Sequence, residues 1–287
     1  MRKRIARFLA ASLSLTAFFA LVGCTQKDSE PIDKVLLISI DGLRADAVAN
    51  TEFGKYLLEN STYSLETTTV SPSITLPCHI SMFYGVTPQE HGITDNGAIP
   101  PETMKNGITE TLTKNGKASA LFYDWEPIKY VAKTSPSVSS TYLDSTVHGF
   151  DKTVKMTGDA CIRHIQETPT DFTFLYLAFP DEYGHNYGWL SEEYYHALNE
   201  SFAVVKEVLT TLQGKDYTII LTADHGGHER SHGSTMYEDM TIPLFIIGEN
   251  YTPGTNLGAR SILDVAPTVV SLLNVDVPDH WTGTAIK

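Results

Sequence analysis

Five short apolar runs, rich in β-branched and aromatic residues, alternate along the chain with segments of helical spacing. The runs span residues 35–40, 118–123, 172–179, 217–222 and 242–247. The helical segments span residues 52–58, 77–84, 107–114, 192–213 and 262–273. Continuous apolar runs are typical of strands buried on both faces, and strands alternating with helices favour a parallel sheet. The sequence therefore predicts an α/β fold with a mostly parallel central sheet between layers of helices.

Metal-binding residue types follow three of these five predicted strands. Asp41 follows the first run, Asp181 and His185 follow the third, and Asp224 and His225 follow the fourth. One acid after one strand is unremarkable because loops are polar, but three such placements with two histidines indicate a shared site. Ligands in open α/β sheets gather at the carboxyl ends of the strands. Mixed carboxylate and imidazole ligands suit zinc and leave positions open for a substrate.

The segment around Thr75 offers a possible nucleophile. Pro77 is typical of the first turn of a helix, which places Thr75 just ahead of the helix N-terminus. The free N–H groups and the positive end of the helix dipole favour an anion there. A threonine hydroxyl beside a metal could attack phosphorus, whereas the alternative is that Thr75 serves only as the helix N-cap. The predicted metal ligands around this segment favour the nucleophile.

The N-terminus has the pattern of an export signal. A basic start with Arg2, Lys3, Arg4 and Arg7 precedes an apolar run over residues 8–22, which is short for a membrane-spanning helix. The run ends in Leu21-Val22-Gly23-Cys24 and resembles the lipobox of bacterial lipoproteins. That resemblance implies a signal peptide over residues 1–23, a lipid-modified Cys24 and a polar tether over residues 24–33. An ordinary secretory signal with a chance cysteine is the alternative.

The expected location follows from this N-terminal pattern. We expect an exported, extracytoplasmic protein that is held at the cell membrane by the lipid on Cys24. Residues 34–287 fit one catalytic domain. Within it, residues 97–159 are less regular and could form a small cap or a long surface excursion.

Charge and cysteine content narrow the possible functions. Beyond residue 23 the chain has 17 basic and 34 acidic residues, a net charge of −17, so it lacks the electrostatic surface that binds a nucleic-acid duplex. Positive charge for an anionic substrate would have to come from a local source such as bound metal. Cys78 and Cys161 show no disulfide-scaffold spacing, and we expect no bridge between them.

Several motifs together resemble the alkaline phosphatase superfamily, and in particular its type I phosphodiesterase/nucleotide pyrophosphatase branch. They occur in the order of that family and cover nearly the whole chain after residue 33. The motifs are Ile40-Asp41-Gly42-Leu43-Arg44, Thr75-Leu76-Pro77-Cys78-His79, Glu90-His91-Gly92-Ile93 with Asn96, Pro180-Asp181-Glu182-Tyr183-Gly184-His185, Asp224-His225-Gly226-Gly227, Ser231-His232-Gly233 and Asp264-Val265-Ala266-Pro267-Thr268.

The resemblance implies two zinc ions per chain and a set of ligands for each. One zinc would be held by Asp181, His185 and His232. The other would be held by Asp41, Asp224, His225 and the hydroxyl oxygen of Thr75. His228 also lies in the last ligand region, but His232 is preferred because the family's third histidine precedes a glycine. By the same comparison, His79 and His91 are scaffold residues.

Two further residues are predicted to contact the substrate. Asn96 accompanies a family motif, and Cys78 lies three positions beyond Thr75, where the phosphodiesterase branch usually has an asparagine. A thiol is a poor hydrogen-bond donor, so Cys78 puts the substrate preference of that branch in question. Arg44 is either a phosphate-binding group or part of a structural ion pair.

The function that the resemblance implies is hydrolysis of a small phosphate ester. Phosphodiester or pyrophosphate cleavage through a phosphothreonine intermediate is the first expectation. Phosphomonoester hydrolysis, phosphoryl-group transfer at the membrane surface and ligand binding without catalysis are the alternatives. Sulfatases share the architecture but use a modified cysteine or serine as nucleophile, and that pattern does not match this sequence.

Overall fold

The computed structural model of the protein describes residues 34–287. The predicted signal peptide, the predicted lipidation of Cys24 and the predicted tether therefore lie outside the described residues. Within the described range, no helix combines the length and the apolar character needed to cross a membrane.

Eight strands in the described residues form one sheet in the order β4-β3-β5-β1-β6-β7-β2-β8. All neighbouring strands run parallel except where β7 pairs antiparallel with β6 and with β2. This confirms the predicted α/β fold with a mostly parallel central sheet. The strands are β1 (Lys34–Ile40), β2 (Thr62–Thr68), β3 (Ser119–Tyr123), β4 (Val138–Tyr142), β5 (Phe172–Leu177), β6 (Tyr217–Thr222), β7 (Thr241–Ile247) and β8 (Arg260–Ser261).

Helices cover both faces of this sheet. Helices α7 and α9 pack on each other on one face, while α3 and α11 lie on the other. Short 3-10 helices span Glu126–Val131 and Ile262–Asp264. The α-helices are α1 (Ala45–Val48), α2 (Glu52–Asn60), α3 (Thr75–Tyr84), α4 (Pro88–His91), α5 (Ile108–Lys114), α6 (Ser145–His148), α7 (Phe150–Glu167), α8 (Phe179–Tyr187), α9 (Glu192–Leu212), α10 (Tyr237–Met240) and α11 (Val265–Leu272).

The central strands are mostly apolar because both of their faces are covered. In β1 every residue from Val35 to Ile40 is buried, and β5 is buried throughout. The predicted run 172–179 is too long, since β5 ends at Leu177 and α8 begins at Phe179. Pro180 lies in the first turn of that helix, where its missing N–H breaks no helical hydrogen bond.

Residues 97–159 do not form a separate cap. They contribute β3 and β4 to the main sheet and contain the start of α7, which packs on β3 and β5. The irregular appearance of this segment has a physical reason, because β4 is an edge strand with mostly exposed or half-exposed side chains. An edge strand of this kind lacks the apolar run that marks a buried one.

Candidate metal centre

The carboxyl ends of β1, β5 and β6 lie side by side at one edge of the sheet, as their pairing requires. Helix α3 begins at the same edge. Together these elements bring all seven predicted metal-site residues into two adjoining clusters. The inner cluster consists of Asp41, Thr75, Asp224 and His225, and the outer cluster consists of Asp181, His185 and His232.

In the inner cluster three oxygen atoms surround one imidazole nitrogen. Nε2 of His225 lies 3.3 Å from Oδ1 of Asp41 and 3.2 Å from Oδ2 of Asp224. Oγ1 of Thr75 lies 3.2 Å from the same nitrogen. The side chains are buried, with 2% exposure for Asp41 and 0% for Asp224 and His225. Four potential ligand atoms thus converge in the protein interior.

The outer cluster lies closer to solvent. Oδ2 of Asp181 is 3.5 Å from Nε2 of His185, and Oδ1 is 3.7 Å from Nε2 of His232. The His185 side chain is 41% exposed, whereas those of Asp181 and His232 are 16% and 9% exposed. The rings of His225 and His232 stack with their centroids 3.7 Å apart, so the two clusters touch.

Each of the three cluster histidines uses Nδ1 to contact a backbone carbonyl oxygen. His225 contacts the oxygen of Gly226 at 2.7 Å, His185 that of Arg230 at 3.0 Å and His232 that of Ser73 at 2.8 Å. A carbonyl only accepts hydrogen bonds, so Nδ1 carries the proton and Nε2 presents a lone pair in the neutral ring. Histidines that ligate metal ions are typically oriented in this way.

The distance between two of these nitrogens indicates a shared ligand. Nε2 of His185 and Nε2 of His232 lie 3.1 Å apart. Burial lowers the pKa of His232 to about 3, so its ring is neutral at ordinary pH. When both Nε2 atoms carry lone pairs they repel each other, and a cation between them would convert that repulsion into coordination.

The cluster acids lead to the same conclusion. Oδ1 of Asp41, Oδ1 of Asp181 and Oδ2 of Asp224 are buried and have no hydrogen-bond partner. Burial, followed by the charges of Asp224 and Asp181, raises the pKa of Asp41 well above its ordinary value. Burial also raises the pKa of Asp181 to about 6. Three buried carboxylates with a free oxygen each are costly alone but suited to divalent cations, so the residues fit a metal centre.

Thr75 is the first residue of α3, whose N-cap is Ile74, so the helix begins two residues before the predicted start. The predicted alternative, in which Thr75 is itself the N-cap, is therefore not found. The backbone N–H of Leu76 in this first turn donates to Oδ1 of Asn96 at 2.8 Å. This hydrogen bond fixes the side chain of Asn96, which was predicted to contact the substrate, at the start of the helix that Thr75 begins.

Gly42 allows the two clusters to approach each other. Its φ of +67° lies in the left-handed region, and a Cβ atom there would come within 3.0 Å of Cα of Asp181. The backbone N–H of Gly42 also donates to Oδ1 of Asp224 at 3.2 Å. A residue with a side chain would be strained at this position and would push α8 away from β1.

The remaining histidines of the motifs have other partners. Nδ1 of His228 contacts Oδ1 of the buried Asp239 at 2.7 Å, so His232 and not His228 reaches the outer cluster. Nε2 of His91 contacts Oγ of Ser81 at 2.9 Å inside the fold. His79 is fully buried and lies within 3.5 Å of Asp224, behind the inner cluster.

Arg44 makes an ion pair with Asp46 at 2.6 Å and donates to the Gly227 carbonyl oxygen at 3.0 Å. Both contacts are structural, and they occupy the guanidinium group that was one candidate for binding phosphate.

Cys78 does not face the site, which corrects the prediction that it contacts the substrate. Its side chain is fully buried, and the partners of its sulfur are Thr69, Val70 and Pro72 in the loop before α3. The reason is packing, because the loop that precedes α3 covers the thiol and surrounds its sulfur with polar partners. The cysteines Cys78 and Cys161 are both buried free thiols.

Two residues near the site carry no motif signal in the sequence. Tyr176 on β5 donates its hydroxyl hydrogen to Oδ2 of Asp41. Asp124 follows β3 as the cluster acids follow their strands, but its Oδ1 accepts the backbone N–H of Ala178 at 2.9 Å, just before α8. An acidic residue directly after a buried strand therefore predicts a position at this edge of the sheet. The sequence pattern does not tell whether that residue is a potential metal ligand, as Asp41 is, or a structural acid, as Asp124 is.

Comparison with known proteins assigns the family. Residues 35–239 match the family described as type I phosphodiesterase/nucleotide pyrophosphatase. The chain belongs to this family. Its members are metal-dependent enzymes that act on phosphoesters, in agreement with the metal-ligand clusters of this chain.

Two curated relatives illustrate the range of the similarity. Human ectonucleotide pyrophosphatase/phosphodiesterase family member 1 is 30% identical over 229 residues, which are 70% of this chain and 24% of that protein. A 2,3-bisphosphoglycerate-independent phosphoglycerate mutase of Clostridium botulinum is 26% identical over 212 residues, which are 66% of this chain and 40% of the mutase. The chain thus matches less than half the length of either relative.

Solved structures share the fold. Murine ectonucleotide pyrophosphatase/phosphodiesterase 5, an inactive variant in complex with AMP, matches with a TM-score of 0.72 at 15% identity over 87% of this chain and 97% of that chain. The phosphonate monoester hydrolase of Silicibacter pomeroyi matches with a TM-score of 0.68 at 16% identity over 88% of this chain and 76% of that chain. These likenesses show that the alkaline phosphatase-like fold extends through nearly all of the described residues.

Proposed function

We propose that the protein is a zinc-dependent phosphohydrolase that cleaves phosphodiester or pyrophosphate bonds with Thr75 as nucleophile. The observation that carries the proposal is the convergence of the Thr75 hydroxyl with a carboxylate and imidazole cluster at the start of a helix. Family membership supports phosphoester cleavage, and the AMP bound to the murine relative supports a small nucleotide-type substrate for this chain.

Two zinc ions, one for each cluster, would supply Lewis-acid stabilisation of the charge that develops on the reacting oxygens. The inner ion would be held by Asp41, Asp224, His225 and Thr75. The outer ion would be held by Asp181, His185 and His232. The donor set of three carboxylates and three imidazoles suits zinc.

The side chains of the protein would carry out the reaction in two displacements. Oγ1 of Thr75 would attack phosphorus, so that a new oxygen–phosphorus bond forms and the bond to the leaving oxygen breaks. The proton of the Thr75 hydroxyl would pass to that leaving oxygen. A water molecule then attacks the phosphothreonine and restores the Thr75 hydroxyl. The side-chain amide of Asn96 would donate hydrogen bonds to the charged phosphoryl oxygens in both displacements.

Phosphoryl-group transfer is the second candidate, and the similarity to a phosphoglycerate mutase favours it. In that case an alcohol takes the place of water in the second displacement. Because the clusters would be the same in both reactions, only the identity of the acceptor separates the two candidates.

The deciding experiment is an assay of the zinc-loaded protein on p-nitrophenyl phosphate, bis-p-nitrophenyl phosphate and p-nitrophenyl thymidine monophosphate. We expect the two diesters to react faster than the monoester. Faster release from the monoester would make the protein a phosphomonoesterase. Added glycerol tests transfer, because a transferase would yield a glycerol ester in place of the free acid.

We also propose that the protein is exported and anchored to the membrane by a lipid on Cys24. The lipobox-like segment before that residue supports the proposal. Cys24→Ala should release the protein from the membrane fraction and stop the incorporation of labelled fatty acid. A Cys24→Ala variant that keeps both the label and the membrane association would contradict it.

A further inference from the structure

Tyr176 contacts the inner cluster from inside the core. Its side chain is 1% exposed, and its hydroxyl donates to Oδ2 of Asp41. The other oxygen of the same carboxylate, Oδ1, lies 3.3 Å from Nε2 of His225 and has no hydrogen-bond partner. The two oxygens of Asp41 therefore have different surroundings, one inside the core and one in the cluster.

The fold holds the tyrosine ring in place. In the pairing of β5 with β1, Tyr176 lies opposite Ser39. Ser39 precedes Asp41 by two residues. The ring of His79 packs edge-on against it with the centroids 5.1 Å apart. Nε2 of His79 in turn contacts Oγ of Ser39 at 2.9 Å. Strand pairing on one side and a buried imidazole on the other leave the phenol little freedom to rotate.

We infer that Tyr176 is a positioning residue that makes Asp41 a one-oxygen ligand of the inner cation. The inference rests on the proposed metal centre. A carboxylate can bind a cation through one oxygen or both, and the phenol holds Oδ2 on the core side, so that Oδ1 is the oxygen that faces the cluster. Hydrogen bonds of this kind to ligating carboxylates orient the ligand, and their loss typically weakens metal binding about 10–100-fold.

The outer cluster has a different arrangement. The two oxygens of Asp181 face Nε2 of His232 and Nε2 of His185 at 3.7 Å and 3.5 Å. Both oxygens thus point toward imidazoles of the cluster itself. Removal of the Tyr176 hydroxyl should consequently weaken the inner cation and leave the outer cation unchanged.

The test compares two tyrosine-to-phenylalanine variants of the full-length protein. Tyr176→Phe removes the hydroxyl and keeps the ring. The matched control is Tyr84→Phe, since Tyr84 is also 1% exposed and its hydroxyl also donates to a carboxylate oxygen, that of Glu110 at 3.0 Å. Metal content after dialysis against a chelator series gives an apparent affinity for each of the two zinc ions. Cobalt substitution adds a spectrum that reports ligand geometry.

We expect Tyr176→Phe to bind one of its two zinc ions about 10–100-fold more weakly and to show an altered cobalt spectrum. Excess zinc should restore most of its turnover. Tyr84→Phe should retain wild-type metal affinities and a wild-type spectrum.

Wild-type affinity for both ions and an unchanged cobalt spectrum in Tyr176→Phe would overturn the proposed role of Tyr176. That result would leave the proposed metal centre intact. Loss of both ions together with a lower melting temperature would also overturn the role of Tyr176, because that result means a general structural role. A wild-type protein that binds no zinc or cobalt would instead overturn the proposed metal centre, and this inference with it.

Discussion

The inner and outer clusters have similar donor atoms but opposite relations to solvent. The inner residues follow β1 and β6 or begin α3, and their side chains are at most 3% exposed. The outer residues lie on α8 and on the loop after β6, and the side chain of His185 is 41% exposed. The inner geometry is thus fixed by the packed core, whereas the outer geometry depends on one short helix and one loop.

This difference suggests a division of tasks. A buried cluster with a hydroxyl at a helix N-terminus is suited to hold the nucleophile in one position. A partly exposed cluster is suited to meet the leaving group and water. Four substitutions test the comparison, beginning with the one of largest expected effect.

Replacement of the proposed nucleophile should separate catalysis from metal binding in the inner cluster. We expect Thr75→Ala to lower turnover by about 10⁴-fold or more, because the covalent route is lost. The zinc content should stay near that of the wild type, since the other inner ligands remain. Thr75→Ser keeps a hydroxyl and should retain part of the rate. Near-normal hydrolysis by Thr75→Ala would remove Thr75 as nucleophile.

The outer cluster should lose its cation when His232 is removed. His232→Ala deletes a ligand atom, so zinc affinity and activity should fall together by more than about 100-fold. His228→Ala is the matched control, because His228 contacts Asp239 and not the cluster. Metal analysis of both proteins checks this, and greater zinc loss from His228→Ala would reverse the ligand assignment.

Cys78→Asn should lower the stability of the fold and leave the rate of hydrolysis unchanged, because the new asparagine would be buried. Its amide would be buried among Thr69, Val70 and Pro72 in place of a small thiol, so we expect a loss of about 1–3 kcal/mol. Activity on nucleotide diesters per folded molecule should stay at the wild-type level. Thermal and denaturant unfolding measure the first effect. A faster diesterase would mean that position 78 does reach the substrate.

The contact between the clusters should tolerate little added volume at Gly42. Gly42→Ala introduces a Cβ at a φ of +67° and within 3.0 Å of the Asp181 backbone. We expect a loss of about 1–2 kcal/mol from the left-handed conformation, with the outer zinc weakened more than the inner one. Unfolding curves and a chelator titration test both statements, and unchanged curves would show that α8 adjusts without cost.

The sequence predicted the strands that build the site because those strands are buried on both faces. The bounds of β6 match the predicted run 217–222, and all five predicted strands are present. The placement of Asp41, Asp181 and Asp224 at the carboxyl edge of the sheet followed from strand direction, although Asp181 lies in the first turn of α8 and not directly at the end of β5. The same reasoning places Asp124 at this edge, although it is not part of either cluster.

What the sequence did not predict depends on packing between distant segments. Strand β4 was not predicted because an edge strand lacks a buried apolar run. Helix α7 was not predicted because its buried face consists largely of threonine, glycine and cysteine. The direction of Cys78 depends on the rotation of α3 about its axis, which the loop at Thr69 to Pro72 fixes. The role of Tyr176 depends on the register between β1 and β5, which no motif encodes.

The direction of β1 has a practical consequence. At the start of β1 the backbone N–H of Lys34 donates to the carbonyl oxygen of Asp216. Asp41 follows the end of the strand, seven residues later, at the opposite edge of the sheet. With a rise of about 3.3 Å per residue, the start of the strand and the metal centre are about 23 Å apart. Lys34 and the candidate metal centre therefore lie at opposite ends of this strand. A group attached at Lys34 would lie at the far edge of the sheet from the two clusters.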